Sequence, residues 1–295
     1  MSGQECCTTY ADEAWQGTVV VLENVRVAQD TFRVRFACPQ IARRVVPGQF
    51  VMLRLAGLND PLLGRPLAVY NVSDGPDGEP LCIDVVYLVV GKMTRRLPAL
   101  QPGMSLEVWG PLGNGFPPTE AAHLIMVAGG IGQTPFLTLA QESLGLRTFG
   151  EPARRGEPVE QVTLCYGGRS GGHLAGVEDF QKLGVDVRLS TDDGSVGHHG
   201  LVTDLIRPLL EGSAADGTSG KWQIVCCGPE RMMEATARIA EELDLPCHVS
   251  LETPMACGIG ICFSCVAKIR DASGEWDYRR TCVEGPVFDA RTVEF

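Results

Sequence analysis

The apolar and polar residues of this chain follow two rhythms, and the change falls near residue 118. Before it, short runs rich in β-branched and aromatic residues alternate with polar positions. These are Thr18–Leu22, Thr31–Phe36, Gln49–Leu53, Leu67–Val72, Leu81–Val89 and Ser105–Trp109. Alternation with a period of two marks a strand with one face on a core. Turn residues separate the runs, most plainly Pro47-Gly48 and Asp74-Gly75-Pro76-Asp77-Gly78. Six short strands in about a hundred residues predict a small antiparallel β-barrel over residues 15–118.

After Pro117-Pro118 continuous apolar runs replace the alternation. His123–Ala128, Gln161–Tyr166, Val185–Ser190 and Trp222–Cys227 read as buried strands. Each is followed by a helical segment: Phe136–Leu144, Val177–Leu183, Leu201–Leu210 and Glu230–Leu243. Such alternation predicts a parallel sheet with helices on its faces over 119–246. Arg147–Glu160 and Gly212–Lys221 are expected to be loose surface connections. Strand Cys247–Glu252 opens a third unit, 247–295. There Lys268–Arg270 and Trp276–Tyr278 predict a hairpin about the turn Asp271–Glu275.

Composition narrows the chemistry. With 295 residues, 44% of them apolar, the chain can hold two cores and an appendage. A net charge of 25 − 36 = −11 disfavours nucleic acid and anionic membranes as partners. No apolar run reaches the roughly 18 residues of a membrane span. Met1–Gln16 carries Glu5, Asp12 and Glu13 and no apolar signal core. Twelve cysteines without such a signal predict a cytoplasmic, reducing location and metal or redox use rather than disulfides. Cys6 and Cys7, in a polar tail, are given no role. His123, His173, His198, His199 and His248 show no metal spacing, and no Ser/His/Asp or paired-carboxylate pattern stands out. No catalytic residue is assigned.

The strongest motif is Cys257-Gly258-Ile259-Gly260-Ile261-Cys262-Phe263-Ser264-Cys265, followed after sixteen intervening residues by Cys282. C-x4-C-x2-C followed by a fourth cysteine matches the order of thiolates around a plant-type [2Fe-2S] cluster. Gly258 and Gly260 let the loop turn sharply enough to bring three sulfurs to one side. Ser264 and loop N–H groups can donate to cluster sulfurs. The competing readings are buried thiols or a zinc site, which ordinarily pairs two short knuckles where here only one is present.

Gly129-Gly130-Ile131-Gly132 follows a strand and opens a helix, a place where bare N–H groups attract phosphate. It lacks the G-x-G-x-x-G fingerprint, so a plain tight turn is the competing reading. Cys227-Gly228-Pro229 ends the fourth strand of the sheet, so both turns are expected to share one nucleotide crevice. Cys227 as a small buried residue is the alternative. Arg65-Pro66-Leu67-Ala68 opens a barrel strand, and its arginine suits a pyrophosphate or is a solvated edge charge. Gly91-Lys92-Met93-Thr94 is expected to start a short helix with amides toward the same phosphates. Asp192 and Asp193 follow the third strand of the sheet, where they would repel a ribose 2′-phosphate; Arg169 argues the other way.

Barrel, then parallel α/β unit, then cysteine tail resembles the ferredoxin–NADP reductase superfamily. Within it, the chain resembles the electron-transfer subunits of type B, NAD-dependent dihydroorotate dehydrogenase. The resemblance runs from about Trp15 to Phe295 and is carried by Met255–Val266, Arg65–Ala68, Gly110-Pro111-Leu112-Gly113-Asn114-Gly115-Phe116, Ala128–Gly132 and Cys227–Pro229. It implies FAD held by Arg65, Pro66, Leu67 and Ala68, by Val86, Tyr87 and Leu88, and by Met93 and Thr94. It implies one [2Fe-2S] cluster on Cys257, Cys262, Cys265 and Cys282, and NAD as the electron acceptor. The family usually has Ser at Ala68 and Gly at Met93, which puts flavin affinity or potential in question at both.

The implied fold class is multidomain β and α/β: an N-terminal FAD-binding antiparallel β-barrel, a parallel-sheet NAD-binding domain and a small C-terminal [2Fe-2S] domain. The implied partner is an FMN-containing dihydroorotate dehydrogenase catalytic subunit, in a heterotetramer, and the implied process is pyrimidine biosynthesis. Electrons would run from that FMN through the cluster and FAD to NAD+. The barrel has its own core, so FAD binding is expected to survive loss of the cluster. The γ-type subunit of a hydrogenase and the small subunit of an NADH-dependent ferredoxin–NADP oxidoreductase share these motifs. A zinc-stabilised binding module is the non-enzymatic rival. Phe263, between two ligands, is read either as a contact anchor on the partner or as a shield over the cluster.

Overall fold

The computed structural model describes residues 13–154, 156–215 and 220–295. Strands β1 (Trp15–Ala28), β2 (Thr31–Ala37), β3 (Phe50–Leu55), β4 (Arg65–Asp74), β5 (Pro80–Leu88) and β6 (Ser105–Leu112) close a barrel in the order β1-β2-β5-β4-β3-β6. Neighbouring strands are antiparallel. The period of two is realised in β1: Val19 and Val21 enter the core while Val20 and Leu22 face solvent. A short helix α1 (Pro39–Ala42), absent from the sequence reading, adds Ile41 and Ala42 to that core. On the barrel wall, buried Asp84 takes both of its charge-assisted bonds from Arg35, at 2.6 and 2.8 Å.

The second unit centres on parallel strands β7 (His123–Gly129), β8 (Gln161–Gly168), β9 (Asp186–Thr191), β11 (Trp222–Cys227) and β12 (Cys247–Ser250). The full sheet order is β10-β9-β8-β7-β11-β12-β15, with β10 (His198–His199) and β15 (Val287–Asp289) as short edges. Helices α2 (Phe136–Ser143), α3 (Val177–Lys182), α4 (Ile206–Ala215) and α5 (Glu230–Glu242) cover it. Leu124, Met126 and Ala128 pack with Phe136 and Phe180 on one face, while Ile125 and Val127 pack with Ile206 and Met233 on the other. Burial on both faces is why this strand reads as an unbroken apolar run.

The strand that opens the third unit in the sequence reading, β12, is therefore a member of this sheet, and β15 from the far end of the tail pairs antiparallel with it. What stands apart is the cysteine loop and the hairpin β13 (Val266–Arg270) with β14 (Trp276–Arg280). This tail is seated on the barrel. Phe50, Met52 and Leu112 of the barrel form one buried cluster with Cys265, Cys282 and Val283. Burying each large apolar side chain there contributes about 1.5–3 kcal/mol. Asn114 clasps the same seam: its amide donates to the carbonyls of Val287 (2.8 Å) and Glu284 (3.2 Å) and accepts from Val287 N–H (3.1 Å).

Two expectations about local structure are corrected. Arg147–Glu160 is not loose. Phe149 is buried in the barrel core, and Arg154 bonds both Glu142 oxygens, at 2.7 and 2.5 Å, and the Phe116 carbonyl at 2.6 Å. Gly212–Ala215 belongs to α4; residues 216–219, like Cys6 and Cys7, lie outside the described residues.

Candidate functional site

Two cavities open along the seams between the units. The larger, about 1140 Å³, lies between barrel and tail. Arg65, Pro66, Leu67, Leu88 and Thr94 line its barrel side. The smaller, about 920 Å³, lies at the carboxyl ends of the sheet strands, where Gly129, Gly130, Arg169, Ser190 and Asp192 meet. Leu88, Val90, Ile131, Gly228, Pro229 and Glu252 line both, so the two spaces share one wall.

The residues named from sequence separate into three groups. Arg65 reaches the cavity with its guanidinium donating to the Gly64 and Leu63 carbonyls at 2.9 and 3.2 Å, and makes no ion pair among the described residues. Ala68 does not line the cavity and lies opposite Phe50 in the ladder. Alternation along β5 splits its three residues. Leu88 faces both cavities, and Val86 packs in the core shared with the α/β unit. Tyr87 lines the larger cavity as well, although its ring stacks inward on Phe32 at 5.7 Å and its hydroxyl donates to Asn24 at 3.1 Å. The Met93 side chain is buried in the barrel core, so only its main chain is left for the phosphate turn. No helix starts at Gly91. The segment is a run of turns, and the Thr94 hydroxyl accepts the N–H groups of Val90 and Gly91 at 3.0 and 2.9 Å.

The two turns of the sheet do converge. A Cβ on Gly132 would collide with the Cys227 carbonyl, which explains glycine there. Gly129 and Gly130, with Gly228 and Pro229, line the crevice; Gly132 and Cys227 lie behind them. Burial, then the charge of Glu252, pushes the Cys227 thiol up to about 12. Asp192 lines the crevice, whereas Asp193 accepts from the Ser195 N–H and hydroxyl at 2.9 and 2.6 Å and is used within its own loop. Sequence reasoning missed Ser190. Its hydroxyl is buried, lines the crevice and has no hydrogen-bond partner. It also missed Glu252. Neither carries a local signal, because only strand order brings them to the crevice.

In the tail, Gly258 has φ +75°, and a Cβ there would lie 2.5 Å from Met52 Cγ. The loop is anchored by the Trp109 indole N–H on the Cys257 carbonyl (2.8 Å) and by Arg280 on the Gly260 carbonyl (3.2 Å). Cys262 interacts with Cys257, and Cys282 with Cys265. Ser264, whose hydroxyl lies 3.1 Å from Cys262 Sγ, and then Cys257 pull the Cys262 thiol down to about 6. Burial, then Cys265, pushes the Cys282 thiol up to about 12. Two thiol pairs side by side suit a two-iron cluster, two thiolates to each iron. Cys265 and Cys282 are buried while Cys262 is exposed, so such a cluster has one edge at the surface. Phe263, at φ +57°, is 63% exposed with Arg280 over its ring at 5.4 Å; it does not cover the cysteines as a buried shield would.

Comparison with known proteins agrees with this geometry. Residues 18–116 match the oxidoreductase FAD-binding domain, 126–238 the oxidoreductase NAD-binding domain, and 252–294 the iron–sulfur cluster binding domain of dihydroorotate dehydrogenase B. The electron transfer subunit of dihydroorotate dehydrogenase B (NAD(+)) from Desulforamulus reducens is 36% identical over 274 residues, covering 92% of this chain and 96% of that one. The chain belongs to this family of electron-transfer subunits. A second member, from Clostridium acetobutylicum, is 33% identical over 269 residues, covering 91% of this chain and 93% of its own. Among solved structures, the NADH-dependent reduced ferredoxin–NADP oxidoreductase superposes with a TM-score of 0.73 at 26% identity, over 94% of this chain and 89% of that one. This electron-transfer subunit carries domains for FAD, NAD and an iron–sulfur cluster. Among its described residues no helix is long and apolar enough to cross a membrane.

Proposed function

We propose that this chain carries electrons from the FMN of a dihydroorotate dehydrogenase catalytic subunit to NAD+, in pyrimidine biosynthesis, within a heterotetramer in the cytoplasm. The observation that carries the reading is the order of the sites. Exposed Cys262 and Phe263 lie on the loop whose Ser264 lines the larger cavity, and that cavity shares a wall with the nucleotide crevice. When bound, the cluster supplies single-electron transfer and FAD supplies the step from single electrons to a hydride.

The chain's own residues bind, orient and insulate. Cys257, Cys262, Cys265 and Cys282 are assigned to the cluster. Arg65 is assigned to the flavin pyrophosphate, since its fork suits a bidentate anion. Pro66, Leu67, Tyr87 and Leu88 are assigned to the ring and its chain, and the segment around Thr94 to the phosphates through its main chain. Gly129, Gly130, Gly228 and Pro229 are assigned to NAD. Ser190 and Asp192 suit the free hydroxyls of its adenine ribose, and Asp192 disfavours a 2′-phosphate. No base is placed for orotate chemistry, which is left to the partner.

The test is reconstitution with that catalytic subunit. Dihydroorotate is expected to reduce NAD+ only when both chains are present, and with a higher kcat/KM for NADH than for NADPH in the diaphorase direction. A partner identified by mass from the native cell as a hydrogenase or a ferredoxin-reducing subunit would overturn the reading in favour of the reductase seen in the solved structure.

A further inference from the structure

We infer that the iron–sulfur tail is a working part of the flavin site, so that cluster loading and flavin affinity rise and fall together. This rests on the reading that the larger cavity takes FAD. The expectation that the barrel binds flavin independently of the tail is set aside by where the cavity walls come from. Facing the barrel residues across the cavity are Ser264, Val266, Ala267 and Lys268, with Phe295 at the chain terminus.

These wall residues are continuous with the cluster ligands. Ser264 sits between Cys262 and Cys265. Its hydroxyl accepts the Ala256 N–H at 3.1 Å and lies 3.1 Å from Cys262 Sγ. Val266 follows Cys265 directly and opens β13. The Lys268 carbonyl accepts the Glu294 N–H at 3.1 Å, and Ile269 bridges Val293, which holds the C-terminal residues against β13. Lys268 itself places its ammonium 4.5 Å from the centre of the Trp276 ring.

The loop that carries this wall has little regular structure to hold it. Residues 257–265 contain no helix or strand, and Ile259 and Ile261–Ser264 are exposed. On the barrel side the loop is fixed at Cys257, and Cys265 and Cys282 are buried in the seam. A cluster held by Cys257, Cys262, Cys265 and Cys282 would therefore fix the start of β13 relative to the barrel. With the cluster gone, the wall is free to shift away from the flavin. Linkage makes the effect reciprocal: whatever factor the cluster adds to FAD affinity, FAD adds to cluster affinity.

The experiment compares FAD dissociation constants, read by flavin fluorescence on anaerobic dilution, for cluster-loaded protein and the same preparation stripped by a chelator. Stripped protein is expected to bind FAD about tenfold more weakly, an ordinary size for coupling between linked sites. In the converse arm, added FAD is expected to slow chelator-driven loss of the cluster absorbance by a similar factor. Lys268→Met keeps every ligand and alters the wall together with its contact on the Trp276 ring. It is expected to weaken FAD several-fold with the cluster spectrum unchanged, so the inference stays testable should stripped protein aggregate. Equal FAD constants in loaded and stripped protein, or in Lys268→Met and the parent where stripping fails, overturn the coupling. A cluster-loaded parent that binds no FAD at all overturns the underlying reading of the cavity instead.

Discussion

Asn114 offers the sharpest test of how tail and barrel are joined. Asn114→Ala removes three hydrogen bonds to the stretch that follows Cys282, two to Val287 and one to Glu284. The backbone bond from Asn114 N–H to the Gly285 carbonyl, 2.7 Å, remains. Each lost bond is worth about 0.5–1.5 kcal/mol net. Val287 is only 4% exposed, so its freed N–H and C=O find little water, and the two bonds to it count near the top of that range. The seam is therefore expected to weaken by ~2–3 kcal/mol. Native-state hydrogen exchange reads this locally, without assuming two-state unfolding of a multidomain chain. The amides of Glu284, Gly285 and Val287–Asp289 are expected to exchange about 30- to 150-fold faster, by the usual conversion of free energy to a ratio. Cluster loss to a chelator is expected to accelerate too, because Cys282 lies two residues before Glu284. Exchange within about threefold of the parent, with iron retained equally, would show that the apolar cluster alone holds the tail and that the clasp is idle.

Three further substitutions probe other parts of the argument. Gly258→Ala puts a Cβ 2.5 Å from Met52 Cγ at a φ of +75°, and should lower the iron bound per purified chain; full iron content would refute the strain. Arg35→Met leaves the Asp84 carboxylate, 1% exposed, without its cation and is expected to destabilise the barrel by ~3–5 kcal/mol in urea, with most of that regained on adding Asp84→Leu; a loss under about 1 kcal/mol would show the pair to be idle. Phe263→Ala removes an exposed aromatic ring beside the cluster ligands and should weaken capture of the partner chain by about tenfold with the cluster absorbance intact; unchanged affinity removes Phe263 from the contact.

Local pattern determined most of the architecture. The period of two in β1 and the unbroken apolar run in β7 reflect burial on one face and on two, and both are written in adjacent residues. The cysteine spacing was equally legible, because a short loop must carry its ligands close together in sequence. The failures share one cause. Phe149 was misread as part of a loose loop because a side chain's direction depends on what packs behind it, here the barrel core. Strand β15 has three residues and forms only because β12 offers it an edge. Ser190 and Glu252 reach the crevice at the strand ends through strand order, and Lys268 reaches the larger cavity because Asn114 and an apolar seam seat the tail on the barrel. Sequence determined which chemistries this chain carries, since those depend on residue type and short spacing. Tertiary packing alone decided that the cavities share a wall and that the tail closes one of them, because those facts depend on contacts between residues more than a hundred positions apart.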